Sequence, residues 1–337
     1  MITFIGRTFP TNWDYGLFEK KTIDAVIEQI ETKLPHDNNI VINTTWFFTN
    51  EDNENWIRCK NLVESNNSGN LFLLAFVDPA PNPWDSERIL RLFCKFNIFK
   101  IGNFSGEYAW DFASTVLCDR FKKYSEYEIT LRDIKYKFLS YSRKPHEHRL
   151  ALYKKYVDNN LLDCGIATLG KGPNHNFEST LDENLNDYIQ HGHWYGEGFD
   201  GGYNIPHDLF SLGRMDIWQH HFLNIANETL PHNTDQELMV TEKTFKPIIG
   251  LRPFLINGDA RSYQWLRNRG FKTFTHWFPT NENDIIEILL WLKNQSTEQI
   301  QQLYNNMLPD LLHNRNRFFE FAQEEKLRFN NILNGAE

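Results

Sequence analysis

The feature that most constrains the fold is an alternation of short apolar runs with segments of helical period. Continuous apolar runs of four to seven residues suit strands that are buried on both faces, as in parallel sheets. In the first third of the chain the sequence predicts strands at Met1–Ile5, Asn39–Ile42, Leu71–Val77 and Ile98–Ile101. Amphipathic helices are predicted between them at Lys21–Leu34 and Ser86–Phe96. This order indicates βαβ units.

A second alternation follows a connecting region, Tyr108–Ile134, that is predicted to be helical or irregular. Its predicted strands are Lys137–Tyr141, Cys164–Leu169, Phe222–Ala226 and Pro253–Ile256. Its predicted helices are His146–Asn159, Glu242–Ile249 and Ser262–Arg269, with a helical pattern from Asn283 onward. The sequence therefore predicts an α/β chain of two Rossmann-like lobes, with the active site in the crevice between them. The expected limits are 1–125, 126–300 and, for the C-terminal helices, 301–337.

Composition excludes several classes of protein. Hydrophobic residues make up 41% of the 337 residues and aromatic residues 15%, which excludes intrinsic disorder as the main state. No run approaches the ~18 apolar residues of a membrane span, and the first ten residues lack the apolar core of a secretory signal. The four cysteines form no CxxC pair. We therefore expect reduced thiols in a cytoplasmic protein.

Charge is distributed unevenly along the chain. The net charge is −9, which argues against a protein that coats nucleic acid. From Arg120 to Lys155, however, eleven Lys or Arg face four Asp or Glu, a local charge of +7. Such a segment can receive an anionic ligand, or it can be a solvated helix face.

Common catalytic fingerprints are missing. The sequence contains no GxGxxG after a strand, no GxxxxGK[ST], no GxSxG and no HExxH. The histidine clusters His191-Gly-His193 and His220-His221 have no further ligands at helical spacing, so we expect no metal site.

The segment richest in candidate residues is Phe222–Phe274. A strand ends in Asn227-Glu228-Thr229, and after a loop Thr241 begins a helix with Glu242 and Lys243 in its first turn. Unpaired N–H groups and the positive end of the dipole favour phosphate at a helix N-terminus, and Lys243 adds a cation there. Glu242 can accept hydrogen bonds from two vicinal hydroxyls of a ribose. The alternative is a plain helix cap with Thr241 as N-cap.

The segment VTEKTFKPIIGLRPFLING, Val240–Gly258, resembles the donor-site signature of fucosyltransferase-like GT-B glycosyltransferases. The upstream segment Lys137–Gly165 is similar to the first unit of the same group's C-terminal lobe. The chain also resembles virus-encoded glycosyltransferases of this general type, because its Asn-rich, aromatic composition would suit an AT-rich genome. The resemblance spans about Tyr136–Phe274. It departs at Ala226-Asn227-Glu228 and at Met239, which leaves the sugar and the base open.

The resemblance implies a GT-B fold and a set of donor-binding residues. Arg149 would contact the donor diphosphate, with Arg143 assisting from the preceding loop. Lys243 would neutralise the departing phosphate and Glu242 would hold the ribose. Glu228 and Thr241 complete the set. Lysine and arginine side chains would then neutralise the diphosphate in place of a metal ion. We therefore expect no metal and no cofactor, with the nucleotide sugar as co-substrate.

An inverting transfer also needs a general base. Asp78 ends the apolar run Leu71–Val77 and begins a Pro-rich loop, so it is our candidate. It can equally be a turn residue before Pro79. The rival acids are Asp14, Glu107 and Asp111, and the loop aromatics that could stack on a sugar or a base, or belong to the core, are Trp13, Trp46 and Trp84.

These features together predict a glycosyltransferase that moves a sugar from a nucleotide donor to an acceptor hydroxyl, inverting and without metal. The predicted acceptor is a glycan or a hydroxymethylated base in DNA. The alternative is a non-catalytic protein on the same scaffold that binds a nucleotide or a carbohydrate.

Overall fold

A computed structural model of the chain describes the residues numbered 2–5, 27–28, 30–32, 34, 38–43, 53–75, 83–102, 118, 121–126, 129–142, 146–169, 212, 215–228, 238 and 240–333. The chain divides into two compact units. One consists of Met1–Val116 with Ala322–Glu337, and the other of Leu117–Phe321. The limits predicted from the sequence, 1–125, 126–300 and 301–337, stay predictions.

The first unit contains a parallel sheet of four strands, in the order β1-β2-β3-β4. The strands are β1 (Ile2–Ile5), β2 (Asn39–Asn43), β3 (Asn70–Ala75) and β4 (Asn97–Gly102). Helix α1 (Glu54–Ser65) connects β2 to β3, and helix α2 (Pro83–Leu92) connects β3 to β4. The predicted βαβ organisation of this half is therefore confirmed.

Three asparagines align the strands of this sheet at their amino ends. Asn39, Asn70 and Asn97 are the first residues of β2, β3 and β4 and are paired in register. The Asn70 amide donates to Asn39 Oδ1 at 3.0 Å, and the Asn97 amide donates to Asn70 Oδ1 at 3.2 Å. Since a shift of one residue would break this row of amides and turn every side chain to the other face, the row helps to fix the register.

Two helices of this unit differ from the sequence prediction. Helix α1 was not predicted, because polar residues predominate in its sequence ENWIRCKNLVES. Its buried face includes Trp56 and Cys59. Helix α2 begins at Pro83 rather than at Ser86 and ends at Leu92 rather than at Phe96. Proline suits the first helical position because its missing N–H would be unpaired there anyway.

The second unit contains a second parallel sheet of four strands, in the order β6-β5-β7-β8. The strands are β5 (Tyr136–Ser142), β6 (Gly165–Leu169), β7 (His221–Asn227) and β8 (Phe254–Asn257). All four lie within one residue of the predicted bounds. The two parallel sheets with their helices confirm the predicted α/β class of two Rossmann-like units.

Helices connect and extend the second sheet. Helix α3 (Glu147–Asp158) follows β5, and α4 (Met215–His220), which was not predicted, precedes β7. Helix α5 (Glu242–Ile249) links β7 to β8, and α6 (Arg261–Asn268) follows β8. The predicted C-terminal helical pattern consists of α7 (Ile285–Lys293) and one long helix, α8 (Thr297–Leu333). No helix within the described ranges is both long and apolar enough to cross a membrane.

A buried arginine joins several segments of the second unit. The Arg252 side chain is fully buried. It donates to the carbonyl oxygens of His221, Ile129, Gly250 and Leu251 and to the Tyr304 hydroxyl. Burial lowers the pKa of its guanidinium to about 10. These acceptors tie the start of β8 to β7 and α8.

Candidate active site at the carboxyl ends of β5 and β7

The strand order places a topological switch point between β5 and β7. The chain leaves β5 toward β6 on one side and returns to β7 on the other. Because parallel crossovers are right-handed, the helices α3 and α5 that follow these strands lie on opposite faces of the sheet. Ligands of such sheets bind beyond the carboxyl ends of the strands at the switch point. This edge is therefore the candidate site of the second unit.

A row of polar side chains closes the end of the sheet under this edge. The Asn257 amide donates to Asn227 Oδ1 at 2.9 Å, and the Asn227 amide donates to Ser140 Oγ at 2.9 Å and to the Tyr141 carbonyl at 3.1 Å. Tyr156 donates its hydroxyl to Ser140 Oγ at 3.2 Å. The Asn227 side chain is therefore hydrogen-bonded to both neighbouring strands, which fixes its position below the candidate site.

Glu228, the residue after β7, connects both helix N-termini. Its side chain is almost completely buried. Carboxylate oxygen Oε1 accepts from the Thr241 N–H at 3.0 Å and from Thr244 Oγ1 at 2.6 Å, and Oε2 accepts from Thr241 Oγ1 at 2.5 Å. The carboxylate therefore holds the beginning of α5.

The backbone carbonyl of Glu228 faces the other helix. Arg149 donates to it from Nε at 3.2 Å and from Nη2 at 2.7 Å, and His148 Nε2 lies 3.0 Å from it. Arg149 is buried in the first turn of α3. One residue at the switch point thus brings the Arg149 guanidinium and the start of α5 together.

The first turn of α5 carries an ion pair. Thr241 caps the helix by accepting from the Lys243 N–H at 3.4 Å, and it also accepts from Lys243 Nζ at 3.2 Å. Lys243 Nζ donates to Glu242 Oε1 at 2.8 Å. The Lys243 side chain is 29% exposed and that of Glu242 is 12% exposed. The ammonium therefore lies at the helix N-terminus and remains within reach of solvent.

Electrostatics keep Glu242 ionised. Burial alone would raise the pKa of its carboxyl, but the ammonium groups of Lys243 and Lys246 outweigh burial, and the pKa lies below its ordinary value. A carboxylate in this state accepts hydrogen bonds and donates none. It can accept from Lys243, as it does here, or from hydroxyl groups of a ligand.

A glycine lets the end of β8 approach Glu228. A Cβ atom on Gly258 would lie 2.8 Å from Glu228 Cβ and 3.4 Å from Glu228 Cγ. Glu228 also donates its backbone N–H to the Asn257 carbonyl at 3.0 Å. Only a residue without a side chain leaves room for this close approach.

The structure brings together five of the predicted site residues, namely Arg149, Glu228, Thr241, Glu242 and Lys243. Arg143 and the candidate base Asp78 lie outside the described residues. So do Asp14, Glu107, Asp111, Trp13 and Trp46, while Trp84 lies in α2 and its side chain is not described. The roles assigned to all these residues stay predictions.

Two lysines of the basic segment are bonded to groups of the protein itself. Lys137 donates to the carbonyls of Lys293 and Gln295 at the end of α7, and Lys154 pairs with Asp158 on the same helix. Arg149 is the segment's contribution to the candidate site.

Three residues of the site were not singled out from the sequence. His148 and Thr244 contact Glu228, and Gly258 makes room for it. His148 immediately precedes Arg149, and Thr244 lies one helical turn after Thr241. Both could have been found in the sequence from their spacing to these two predicted site residues. Gly258 is the last residue of the segment Val240–Gly258, but its close approach to Glu228 depends on the fold and has no signal in the sequence.

Among the described residues no group of three or more His, Cys, Asp or Glu could hold a metal ion. No protein-family model and no curated protein matches the sequence. The chain is similar to a solved structure of the DNA-modifying enzyme β-glucosyltransferase, which was determined with and without its substrate uridine diphosphoglucose. The two chains share 11% identity, the TM-score is 0.47, and the match covers 97% of this chain and 98% of the other.

Proposed function

We propose that this protein is a glycosyltransferase that moves a sugar from a nucleotide-sugar donor to an acceptor hydroxyl. One observation carries the proposal. At the switch point of the second unit, Glu228 joins a buried arginine on α3 to a helix N-terminus that bears a carboxylate and an ammonium group. These are the groups that a nucleoside diphosphate requires: cations for its phosphates and a carboxylate for its ribose.

The donor would be bound by both helices. Lys243 and the N-terminus of α5 would neutralise the diphosphate, and Glu242 would exchange its contact with Lys243 for the ribose hydroxyls. Arg149 donates from Nε and Nη2 to the Glu228 carbonyl, and its guanidinium would also donate to the diphosphate. A guanidinium has five N–H donors in a fixed plane and can serve both partners.

The transfer itself would be inverting and without metal. The acceptor hydroxyl would attack the anomeric carbon while the nucleoside diphosphate departs, and a carboxylate would take the hydroxyl proton. Asp78 remains the candidate for that base. The developing charge on the leaving diphosphate would be stabilised by Lys243 and Arg149, as fixed cations do in transition states. This division of roles is the one that the resemblance to fucosyltransferase-like GT-B enzymes implies.

The donor site is tested by nucleotide binding. A thermal-shift panel of UDP, GDP, CMP, ADP and their sugars should show one base that raises the melting temperature by mass action. Lys243→Ala and Arg149→Ala should then weaken that nucleotide by about 1.5–3 kcal/mol, as expected for charge-assisted hydrogen bonds. Lys155→Ala is the matched control, because Lys155 is an exposed cation in the last turn of α3. Unchanged affinity in both site variants would refute the assignment.

Turnover separates an enzyme from a binding protein. The protein should release free nucleotide from its donor when it is given either an oligosaccharide panel or DNA with hydroxymethylated bases. The acceptor that supports release identifies the acceptor class. A protein that binds the donor and releases nucleotide with neither acceptor class would instead be the non-catalytic alternative.

A further inference from the structure

The carboxylate of Glu228 cannot serve as a direct ligand group in this arrangement. The residue is 1% exposed, and both of its oxygens accept hydrogen bonds from Thr241 or Thr244. A buried carboxylate that is satisfied by protein donors contributes by fixing those donors, since breaking the contacts would leave a buried charge unpaired. Its effect on a ligand therefore has to pass through other residues.

The direction of the hydrogen bonds defines that path. The Thr241 hydroxyl donates to Glu228 Oε2. Its lone pairs are then directed elsewhere, and the N–H and Nζ of Lys243 both donate to it. Glu228 thus holds the Thr241 oxygen as an acceptor toward Lys243.

We infer that Glu228 is a positioning residue, whose buried carboxylate sets the Thr241 hydroxyl so that the Lys243 ammonium is held at the N-terminus of α5, ready for a diphosphate. The diphosphate part of this inference rests on the proposed function. The positioning of Lys243 itself is a property of the free protein and can be measured without a ligand.

Glu228→Gln tests the direction of the bonds. Its amide has one accepting oxygen and one donating NH₂ group. In one orientation the new NH₂ group donates to Thr241 Oγ1, and the Thr241 hydroxyl proton must then turn toward the donors of Lys243. In the other orientation the NH₂ group faces the Thr241 N–H and the Thr244 hydroxyl. Either way a donor faces a donor. Thr241→Val removes the hydroxyl altogether, whereas Thr241→Ser keeps it.

The control is another buried glutamate of the same unit. Glu282 accepts from Arg267 Nη1 at 2.8 Å and from the Thr275 hydroxyl, away from α5. Glu282→Gln therefore reproduces the loss of a buried carboxylate bonded to a threonine. It should lower the melting temperature without changing Lys243.

The first measurement is the rate of reductive methylation of Lys243, followed by peptide mass spectrometry against Lys155 in the same chain. We expect a several-fold faster rate in Glu228→Gln and Thr241→Val, a rate near the parent's in Glu282→Gln, and recovery in Thr241→Ser. The second is the affinity for the nucleotide that stabilises the parent, which should fall about tenfold or more in the first two variants and much less in the last two.

Parent methylation rates in Glu228→Gln and Thr241→Val would overturn the inference. It would also be overturned if the rates rose while nucleotide affinity stayed at the parent value, because Glu228 would then be structural only. If the rates rise as expected but the parent itself binds no nucleotide, the proposed function fails and the positioning of Lys243 stands. Should Glu228→Gln fail to fold, the Thr241→Val and Thr241→Ser pair decides between the same outcomes.

Discussion

Gly258→Ala is the perturbation that tests the site most directly. It adds one methyl group at the end of β8. That carbon would lie 2.8 Å from Glu228 Cβ, 3.4 Å from Glu228 Cγ and 3.5 Å from Ile256 Cγ2. The nearest atom is attached directly to the backbone of Glu228, so it cannot move aside like the end of a flexible side chain. The conflict has to be relieved by shifting Glu228 or the end of β8.

The cost follows from the packing around Glu228. Forcing an extra methyl group into a packed region costs about 1–3 kcal/mol of unfolding free energy. Glu228 is held by hydrogen bonds from α3 and α5, and a shift would lengthen several of them together. We therefore expect a loss in the upper half of that range. We also expect weaker nucleotide binding, because the N-terminus of α5 would move with Glu228.

Urea unfolding followed by tryptophan fluorescence measures the first effect, and titration calorimetry with the stabilising nucleotide measures the second. Gly165→Ala is the matched control. Its new methyl group would lie 2.0 Å from the Phe138 ring, but Gly165 begins β6 at the opposite edge of the same sheet. It should destabilise the unit and leave nucleotide affinity in the folded protein unchanged. If Gly258→Ala loses less than about 0.5 kcal/mol, or binds nucleotide as the parent does, the close approach of Gly258 and Glu228 is wrong.

Three further expectations concern the reaction and pH. Asp78→Asn should reduce turnover by about 10²–10⁴-fold with donor affinity nearly intact, as measured by steady-state kinetics, and turnover within a few-fold of the parent would move the search to Glu107 and Asp111. Activity should survive EDTA, and complete loss restored by Mg²⁺ or Mn²⁺ would contradict neutralisation by Lys243 and Arg149. The pKa of the Glu242 carboxyl lies below its ordinary value in the folded protein. Its ionised form therefore stabilises the fold at pH values above the ordinary pKa, and this stabilisation is lost as the pH falls through the folded-state pKa. Glu242→Gln should therefore flatten this part of the acid limb in urea unfolding measured between pH 6 and pH 3, and an acid limb identical to the parent's would show that the ion pair with Lys243 contributes no stability.

The strands were largely predictable because their apolar runs depend on local composition. Phe222–Ala226 and Pro253–Ile256 were predicted within one residue of β7 and β8. Helix α1 was missed because its buried residues, Trp56 and Cys59, are outnumbered by polar ones. Helix α2 begins at Pro83, three residues before the predicted start at Ser86, because proline fits the first helical position.

The sequence by itself determined the α/β class, the positions of most strands, and the cap at Thr241 with Glu242 and Lys243 behind it. All of these depend on neighbours along the chain, where periodicity, capping and propensity act. Tertiary structure decided the strand order β6-β5-β7-β8, and with it the switch point that brings Arg149 to Glu228 across 79 positions of sequence. It also decided that Glu228 is buried against Thr241 and Thr244, and that Lys137 donates to the end of α7 across 156 positions. A side chain's partners over such separations are selected by packing, and no local pattern carries that information.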